Sequence, residues 1–148
     1  MRHRLGFICA NARNRRVNGG TTGCVCCPHD PDASADAIRA RIAAHSSCAV
    51  GVAVTDSFGR PWRLGQVNVA IGLAGLPALR DLAGSADADG RPLKATMPAL
   101  ADEIAAASGL AVAKAGRTPV VLLRGLDMTG AAQPAAALLR PAKEDLFL

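Results

Sequence analysis

Residues 30–55 contain, in order, a polar turn, an amphipathic segment and a short apolar segment. Residues 30–34 (DPDAS) are of the types that cap and begin helices, and residues 35–44 follow with apolar side chains at helical spacing. This pattern predicts a helix with one apolar face. Residues 49–55 (AVGVAVT) are apolar and partly β-branched, which predicts a buried strand whose end delivers Asp56 and Ser57 into a loop.

The second half places short apolar segments between glycine-rich and polar turns, without a visible internal repeat. Glycines around residues 67–71 predict a short strand between tight turns, and residues 81–92 predict a polar loop. Thr96 can cap a helix over residues 97–108, and residues 119–123 predict a second apolar strand. The Ala- and Pro-rich tail is expected to pack as an extended strap. This order of elements predicts a mixed α/β (α+β) fold, with parallel or antiparallel pairing left open.

The composition favours one folded domain, residues 1–148, with a core of small aliphatic side chains. Half of the residues are apolar, but 31 of them are alanine, and the chain holds only three Phe, one Trp and no Tyr. No stretch reaches the roughly 18 consecutive apolar residues of a membrane span. Five Cys, an odd number in a chain without a signal peptide, favour reduced thiols over a disulfide framework. We therefore expect a cytoplasmic protein without a membrane partner.

The charge balance favours acidic ligands. The net charge is +5, and the basic residues are fourteen Arg against three Lys, the side chain suited to bidentate binding of phosphate and carboxylate. The few aromatic residues are scattered and form no stacking surface among the basic ones, so a nucleic-acid partner is not expected.

The segment TDSFGRPWR carries the most specific chemistry in the sequence. Asp56 can hold a hard divalent cation and Ser57 can add an oxygen ligand, while Arg60 and Arg63 can neutralise an anion and are the candidate catalytic residues. The alternative is a loop in which these polar groups only satisfy one another, because a single carboxylate is too few to hold a metal securely.

Other polar residues have simpler interpretations beside their chemical ones. Asp102 and Glu103 are more typical of helix-surface charges than of a catalytic pair, and Asp87 and Asp89 are typical turn formers. The segment CVCCPH offers four soft ligands for zinc or copper at Cys24, Cys26, Cys27 and His29. Structural zinc sites usually add a second, distant ligand pair, which this sequence lacks, so buried thiols are the favoured interpretation.

Several motifs, in the same order along the chain, resemble the coenzyme F420-0:L-glutamate ligase family. They are residues 55–75 together with DPDASA (30–35), DADGRPL (87–93), ADEIA (101–105), TPVVLLRG (118–125) and RPAKEDLF (140–147). The resemblance implies a gamma-glutamyl ligase-like fold, an intertwined homodimer and an enzyme that uses GTP to join L-glutamate to a carboxylate of F420-0. It also implies Mg²⁺ or Mn²⁺ at the nucleotide phosphates, with K⁺ as a further candidate cation.

The resemblance also assigns site residues. It implies that Asp56 and Ser57 bind metal and that Asn18 contacts the nucleotide. Lys114 matches a position whose oxygen approaches a second metal, and only its backbone carbonyl could do so, because the lysine side chain has no acceptor. The implied nucleotide-contacting loop consists of Val112, Ala113, Lys114, Ala115, Gly116, Arg117, Thr118 and Pro119.

The departures from the family are concentrated at the N-terminal side. The resemblance begins near Arg4 and covers the C-terminal part of the family domain, so the N-terminal part of the nucleotide site is expected to be missing. Arg15 stands where the family has a metal-binding aspartate, and residues 13–17 are consistent with a codon-frame shift across Gly-Ile-Asp-Ala-Ser. A guanidinium beside a dication is strongly unfavourable. The sequence is therefore interpreted as a truncated or degenerate ligase, with a non-catalytic dimeric remnant and a small Cys/His metal-binding protein as alternatives.

Overall fold

A computed structural model describes residues 3–8, 27–112 and 117–144. Two helices and a two-stranded sheet form the domain, and two short 3-10 turns lie in the C-terminal tail. The elements are α1 (Pro31–His45), β1 (Val52–Gly59), β2 (Gln66–Ala74), α2 (Leu100–Ala111), and the 3-10 turns Ala135–Leu138 and Ala142–Glu144. The mixed α+β fold is confirmed. None of the helices in the described ranges is long and apolar enough to cross a membrane.

The sheet is an antiparallel hairpin, which settles the pairing that the sequence left open. Both strands exceed their predicted lengths. Asp56 and Ser57 lie inside β1, opposite Val69 and Asn68 of β2, so their predicted position in a loop after the strand is wrong. The two strands stay paired as far as Gly59 and Gln66, so both residues lie within the ladder. The side chains of β1 are half-buried and not buried as predicted.

The hairpin contains a one-residue irregularity. Val54 pairs with Gly72 whereas Thr55 pairs with Ala70, which leaves Ile71 as an extra residue in β2. An extra residue interrupts the ladder and reverses the direction in which subsequent backbone N–H groups point.

Helix α1 begins at Pro31, four residues before its predicted start. Asp30 is its N-cap, and its carboxylate accepts a hydrogen bond from Ala33 N at 2.9 Å, which confirms the helix-capping role of this turn. The predicted apolar face is largely not in the core, because Ile38 and Ile42 are 47% and 38% exposed. Only the start of the helix packs closely on the sheet.

Helix α2 begins at Leu100, and the prediction that Thr96 caps it is wrong. Its N-cap is Ala99, which makes no side-chain cap, because residues 96–98 run as an extended segment that bonds to the loop after β2. The core is built of small side chains, as predicted, and Leu76 is its only fully buried large side chain among the described residues. Its members are Ala70, Leu73, Leu76, Ala78, Ala101 and Ala105.

The second predicted strand, residues 119–123, is not formed. Val120 and Leu122 are 78% and 67% exposed, so the β-branched and apolar composition has no buried surface to pack on in the described structure. The tail is likewise not an extended strap throughout, since residues 135–138 form a 3-10 turn whose alanines and leucine pack on the core. The polar loop over residues 81–92 is confirmed, and Asp87 forms its turn by accepting hydrogen bonds from Asp89 N and Arg91 N.

Candidate functional site

Asp56 lies in the middle of β1 and is half-buried. Its Oδ1 accepts a hydrogen bond from Ser57 N at 2.6 Å, and the thiol of Cys27 lies 3.5 Å from its Oδ2. The strand therefore fixes the position of the carboxylate, and the segment before α1 holds one of its oxygens. Cys27 was predicted as a buried thiol, whereas the structure leaves it half-buried beside Asp56.

The chemistry of Asp56 and Ser57 suits a hard cation only in part. Asp56 and Ser57 are consecutive residues of β1, so their side chains point to opposite faces of the sheet. Within the described ranges, no three His, Cys, Asp or Glu side chains come close enough together to form a metal site. Mg²⁺ often takes just one or two carboxylates and completes its coordination with substrate phosphates and water. Asp56 fits that second mode and does not fit a site made wholly of protein ligands.

Arg60 and Arg63 lie in the turn between the strands, beyond Gly59 at the end of β1. The Nη2 of Arg60 donates to Leu64 O at 3.1 Å, and Arg63 N donates to Arg60 O at 3.4 Å, so the turn is closed across its own residues. At about 3.3 Å per residue, the end of β1 is about 10 Å from Asp56. The structure thus places the two arginines together and separates them from the carboxylate along the hairpin.

Much of the predicted nucleotide site lies outside the described residues. Its residues outside the described ranges are Asn18, Ala113, Lys114, Ala115 and Gly116. Arg15, at the predicted metal position, and the candidate zinc ligands Cys24 and Cys26 also lie outside these ranges. Of the predicted loop, Val112 ends α2, where its N–H donates to Ser108 O at 3.2 Å, and Arg117 has a left-handed backbone with φ of 50°. Thr118 and Pro119 follow in an exposed segment. The role of this loop stays a prediction.

A cleft of about 480 Å³ lies along the outer edge of β2 and was not predicted. Aromatic and aliphatic side chains of both chain ends line it, and His3, Phe7 and Phe58 form a continuous ring stack beside it, with centroids 4.6 and 4.9 Å apart. Three aspartates also line this cleft: Asp30, which caps α1, and the two whose carboxylates bind β2, Asp32 and Asp102.

These two carboxylates bind the N–H groups of β2 that face away from β1. Asp102 Oδ1 accepts from Ala70 N at 2.9 Å, and Asp32 Oδ1 accepts from Leu73 N at 2.7 Å. Residues 70 and 73 can both face outward only because the extra residue between them reverses the alternation. Burial raises the pKa of Asp102 above its usual value, and the hydrogen bond from Ala70 partly opposes that shift. Asp102 is therefore a half-buried structural acid and not the helix-surface charge that the sequence suggested.

Sequence reasoning missed Asp32 because its partners are remote. Besides Leu73 it accepts a hydrogen bond from Ala135 N at 3.1 Å, which ties α1 to β2 and to the C-terminal tail. The local sequence signals only a helix start. Gln133 acts in a similar way, since its Oε1 accepts hydrogen bonds from both Ala78 N and Leu79 N.

The described residues form a small α+β domain with a half-buried carboxylate in its hairpin and two arginines in the hairpin turn. The sequence profile of the F420-0:Gamma-glutamyl ligase family matches residues 1–125, and the chain belongs to that family. Its curated relatives include the protein named coenzyme F420:L-glutamate ligase from Haloarcula marismortui, 45% identical over 125 residues, which are 84% of this chain and 49% of the relative.

Proteins of the same name from two other archaea match over more of the chain. The Methanocaldococcus jannaschii protein is 40% identical over 143 residues, 96% of this chain and 57% of the relative. The Methanopyrus kandleri protein is 40% identical over 149 aligned residues, 97% of this chain and 59% of the relative. The chain thus spans about half the length of the curated relatives that it matches.

Proposed function

We propose that this chain forms part of a ligase that joins L-glutamate to F420-0 through an amide bond at the expense of GTP. The observation that carries the proposal is the 45% identity, over most of this chain, with a relative named coenzyme F420:L-glutamate ligase. The half-buried carboxylate of Asp56 in the centre of the hairpin supports it, because phosphoryl transfer depends on positioning and on charge neutralisation at the phosphates.

In the proposed reaction, an oxygen of the F420-0 carboxylate attacks the γ-phosphorus of GTP, and GDP leaves with the electrons of the broken P–O bond. The amino nitrogen of glutamate then attacks the carbonyl carbon of the acyl phosphate, inorganic phosphate leaves, and the nitrogen loses a proton to form the amide. Mg²⁺ or Mn²⁺, when bound, would neutralise charge on the nucleotide phosphates. Asp56 would hold that cation, Ser57 would give an oxygen ligand to a second one, and β1 keeps both residues at fixed positions.

The remaining assignments follow from the resemblance and belong to the same proposal. Asn18 and the loop over residues 112–119 would contact the nucleotide, with the carbonyl of Lys114 and K⁺ as further candidates at the metal site. Arg60 and Arg63 would hold anionic groups of the bound substrates, since they sit together at the turn of the hairpin. Because GTP is a cytoplasmic metabolite, we also propose a cytoplasmic location.

A homodimer is the proposed assembly. Its support is the set of aliphatic side chains that α1 and residues 119–123 expose, which a second chain could cover. Light scattering after size-exclusion chromatography tests this part: a mass twice that of the 15.1 kDa chain is expected. A single-chain mass at all concentrations would contradict it.

The decisive experiment compares three proteins in an assay with GTP, Mn²⁺, L-glutamate and F420-0, read by mass spectrometry of the product. The 148-residue chain alone is expected to form no glutamylated product above background, because it spans only about half of its relatives and carries Arg15 at a predicted metal position. Arg15→Asp in this chain alone should not restore activity. The same variant fused to the N-terminal half of the Haloarcula marismortui relative should form product.

The matched control is the fused protein with Asp56→Asn, which keeps the size of the side chain and removes its charge. Loss of product in this control, together with product in the fusion, supports the proposed role of Asp56. An inactive fusion whose folding is intact, or an Asp56→Asn fusion that is as active as its parent, would contradict the proposal.

A further inference from the structure

The hairpin tip, residues 60–65, exposes two large apolar side chains at the end of the sheet. Trp62 is 84% exposed and Leu64 is 98% exposed. Trp62 also has a left-handed backbone with φ of 56°, which is rare for a bulky residue and unfavourable. Such strain in a binding segment is retained where the surrounding structure fixes it, and it commonly accompanies ligand contact.

The tip carries two arginines close to Trp62 in the sequence, Arg60 and Arg63. The guanidinium of Arg60 is held against the turn by its bond from Nη2 to Leu64 O, and its Nε is buried without a hydrogen-bond partner among the described residues. Arg63 follows Trp62 directly and is exposed. An exposed aromatic ring between two arginines provides a flat apolar surface and anion-binding donors within one short turn.

We propose that the hairpin tip binds the flat heteroaromatic ring of the acceptor substrate, with Trp62 stacking on the ring and Arg63 binding its anionic arm. This inference rests on the proposed function, in which the acceptor is F420-0, a flavin-like ring system on a phosphorylated arm. Stacking on an exposed indole needs a planar ligand, and the two arginines select an anionic one. The tip begins beyond Gly59, about 13 Å along the strand from Asp56, which leaves room for the arm of the acceptor to extend toward the phosphates.

GTP is also a planar anion, but the proposed function already assigns it to the loop over residues 112–119. The tip is therefore assigned to the acceptor alone. The assignment can be tested, because F420-0 and GTP should then have different effects on the fluorescence of Trp62.

The sequence makes the test direct, because Trp62 is the only tryptophan in the chain. Its fluorescence is titrated with F420-0 in the absence of GTP and divalent cations, and then with GTP alone. F420-0 is expected to quench the emission saturably, whereas GTP is expected to leave it nearly unchanged. Equal saturable quenching by GTP, competing with F420-0, would overturn the assignment to the acceptor.

Quenching can act over a distance, so affinity is measured independently by equilibrium dialysis of F420-0 against variants. Trp62→Ala should weaken binding about tenfold, which corresponds to about 1.4 kcal/mol. Trp62→Phe, which keeps an aromatic face, should retain most of the affinity. Arg63→Gln should weaken binding several-fold and reduce its dependence on salt.

Two matched control variants lie away from the tip. Leu110→Ala removes a side chain on α2 that is 92% exposed, and Arg91→Gln removes an arginine whose side chain is 77% exposed. Both should bind F420-0 as the parent does. If they weaken binding as much as the tip variants do, or if Trp62→Ala binds normally, the inference is overturned.

The outcome for the tip is distinguishable from that for the proposed function. Binding is measured without GTP or metal, and Asp56→Asn should leave it unchanged because that side chain lies away from the tip. Normal binding by Trp62→Ala alongside an active fusion would reject the tip and keep the ligase. Tip-dependent binding without turnover would keep the tip and reject the ligase.

Discussion

Asp32 joins three parts of the chain. Replacing it should lower the free energy of unfolding more than replacing any exposed carboxylate does. Its Oδ1 accepts hydrogen bonds from Leu73 N and Ala135 N, partners 41 and 103 residues away along the chain. A hydrogen bond to a charged group contributes about 1.5–3 kcal/mol. Because Asp32 is only half-buried, water can partly replace it, and the lower limit applies to both bonds. Asp32→Ala should therefore cost about 3 kcal/mol of unfolding free energy.

The assay is urea unfolding followed by far-ultraviolet circular dichroism, because Trp62 is exposed and reports poorly on unfolding. At about 2–4 °C per kcal/mol for a domain of this size, the same loss should lower Tm by about 9 °C. Asp32→Asn is the matched control, since its amide oxygen can still accept both bonds, and it should cost about 1 kcal/mol or less. If the alanine and asparagine variants are equally stable, the two hydrogen bonds do not stabilise the fold.

Three further predictions concern the hairpin and its supports. Gly72→Ala should destabilise the fold by about 3 kcal/mol in urea unfolding, because the added Cβ would clash with backbone atoms of Pro31; wild-type stability would contradict this packing. Asp102→Asn should become more stable relative to the parent as the pH rises from below 3.8 to neutral. In the parent, the raised pKa of Asp102 means that the fold favours the protonated acid, so the parent loses this stabilisation as the acid ionises. A stability gain of Asp102→Asn that is constant across this pH range, or an equal gain in the exposed control Glu103→Gln, would reject the prediction. If Asp56 holds a cation in this chain despite Arg15, Mn²⁺ with GTP should raise Tm for the parent and not for Asp56→Ala, since only a ligand that binds the folded state shifts the transition. An equal rise in both would remove Asp56 from the site.

The sequence predicted those features that depend on neighbouring residues. The cap at Asp30 and the turn at Asp87 were identifiable because each side chain bonds to backbone within a few residues of itself. The existence of both helices followed from local spacing, although α1 begins four residues before and α2 three residues after its predicted start. The assignment of residues 119–123 as a strand was wrong, because an apolar segment forms a strand only where a partner strand and a buried face exist.

The unpredicted features all depend on tertiary structure. Nothing near Asp102 in the sequence indicates that its carboxylate will meet Ala70, and nothing near Ile71 indicates an extra residue in the ladder. Ile38 and Ile42 carry a helical apolar pattern, yet the tertiary structure leaves them partly exposed. The same holds for the candidate site. Asp56 and Arg60 were proposed as site residues from the sequence, whereas their separation along the hairpin could not be predicted from it.

The extra residue at Ile71 connects stability to the proposed chemistry. A two-stranded hairpin is marginally stable alone, and the open edge of β2 would leave backbone N–H groups without protein partners. Because the ladder reverses at Ile71, two of these groups face the start of α1 and the start of α2, where Asp32 and Asp102 accept them. The hairpin is thus held from its outer edge, whereas its turn is exposed. Variants that weaken this edge should therefore disturb Asp56 and the hairpin tip together, whereas variants of the tip should leave the edge and the fold intact.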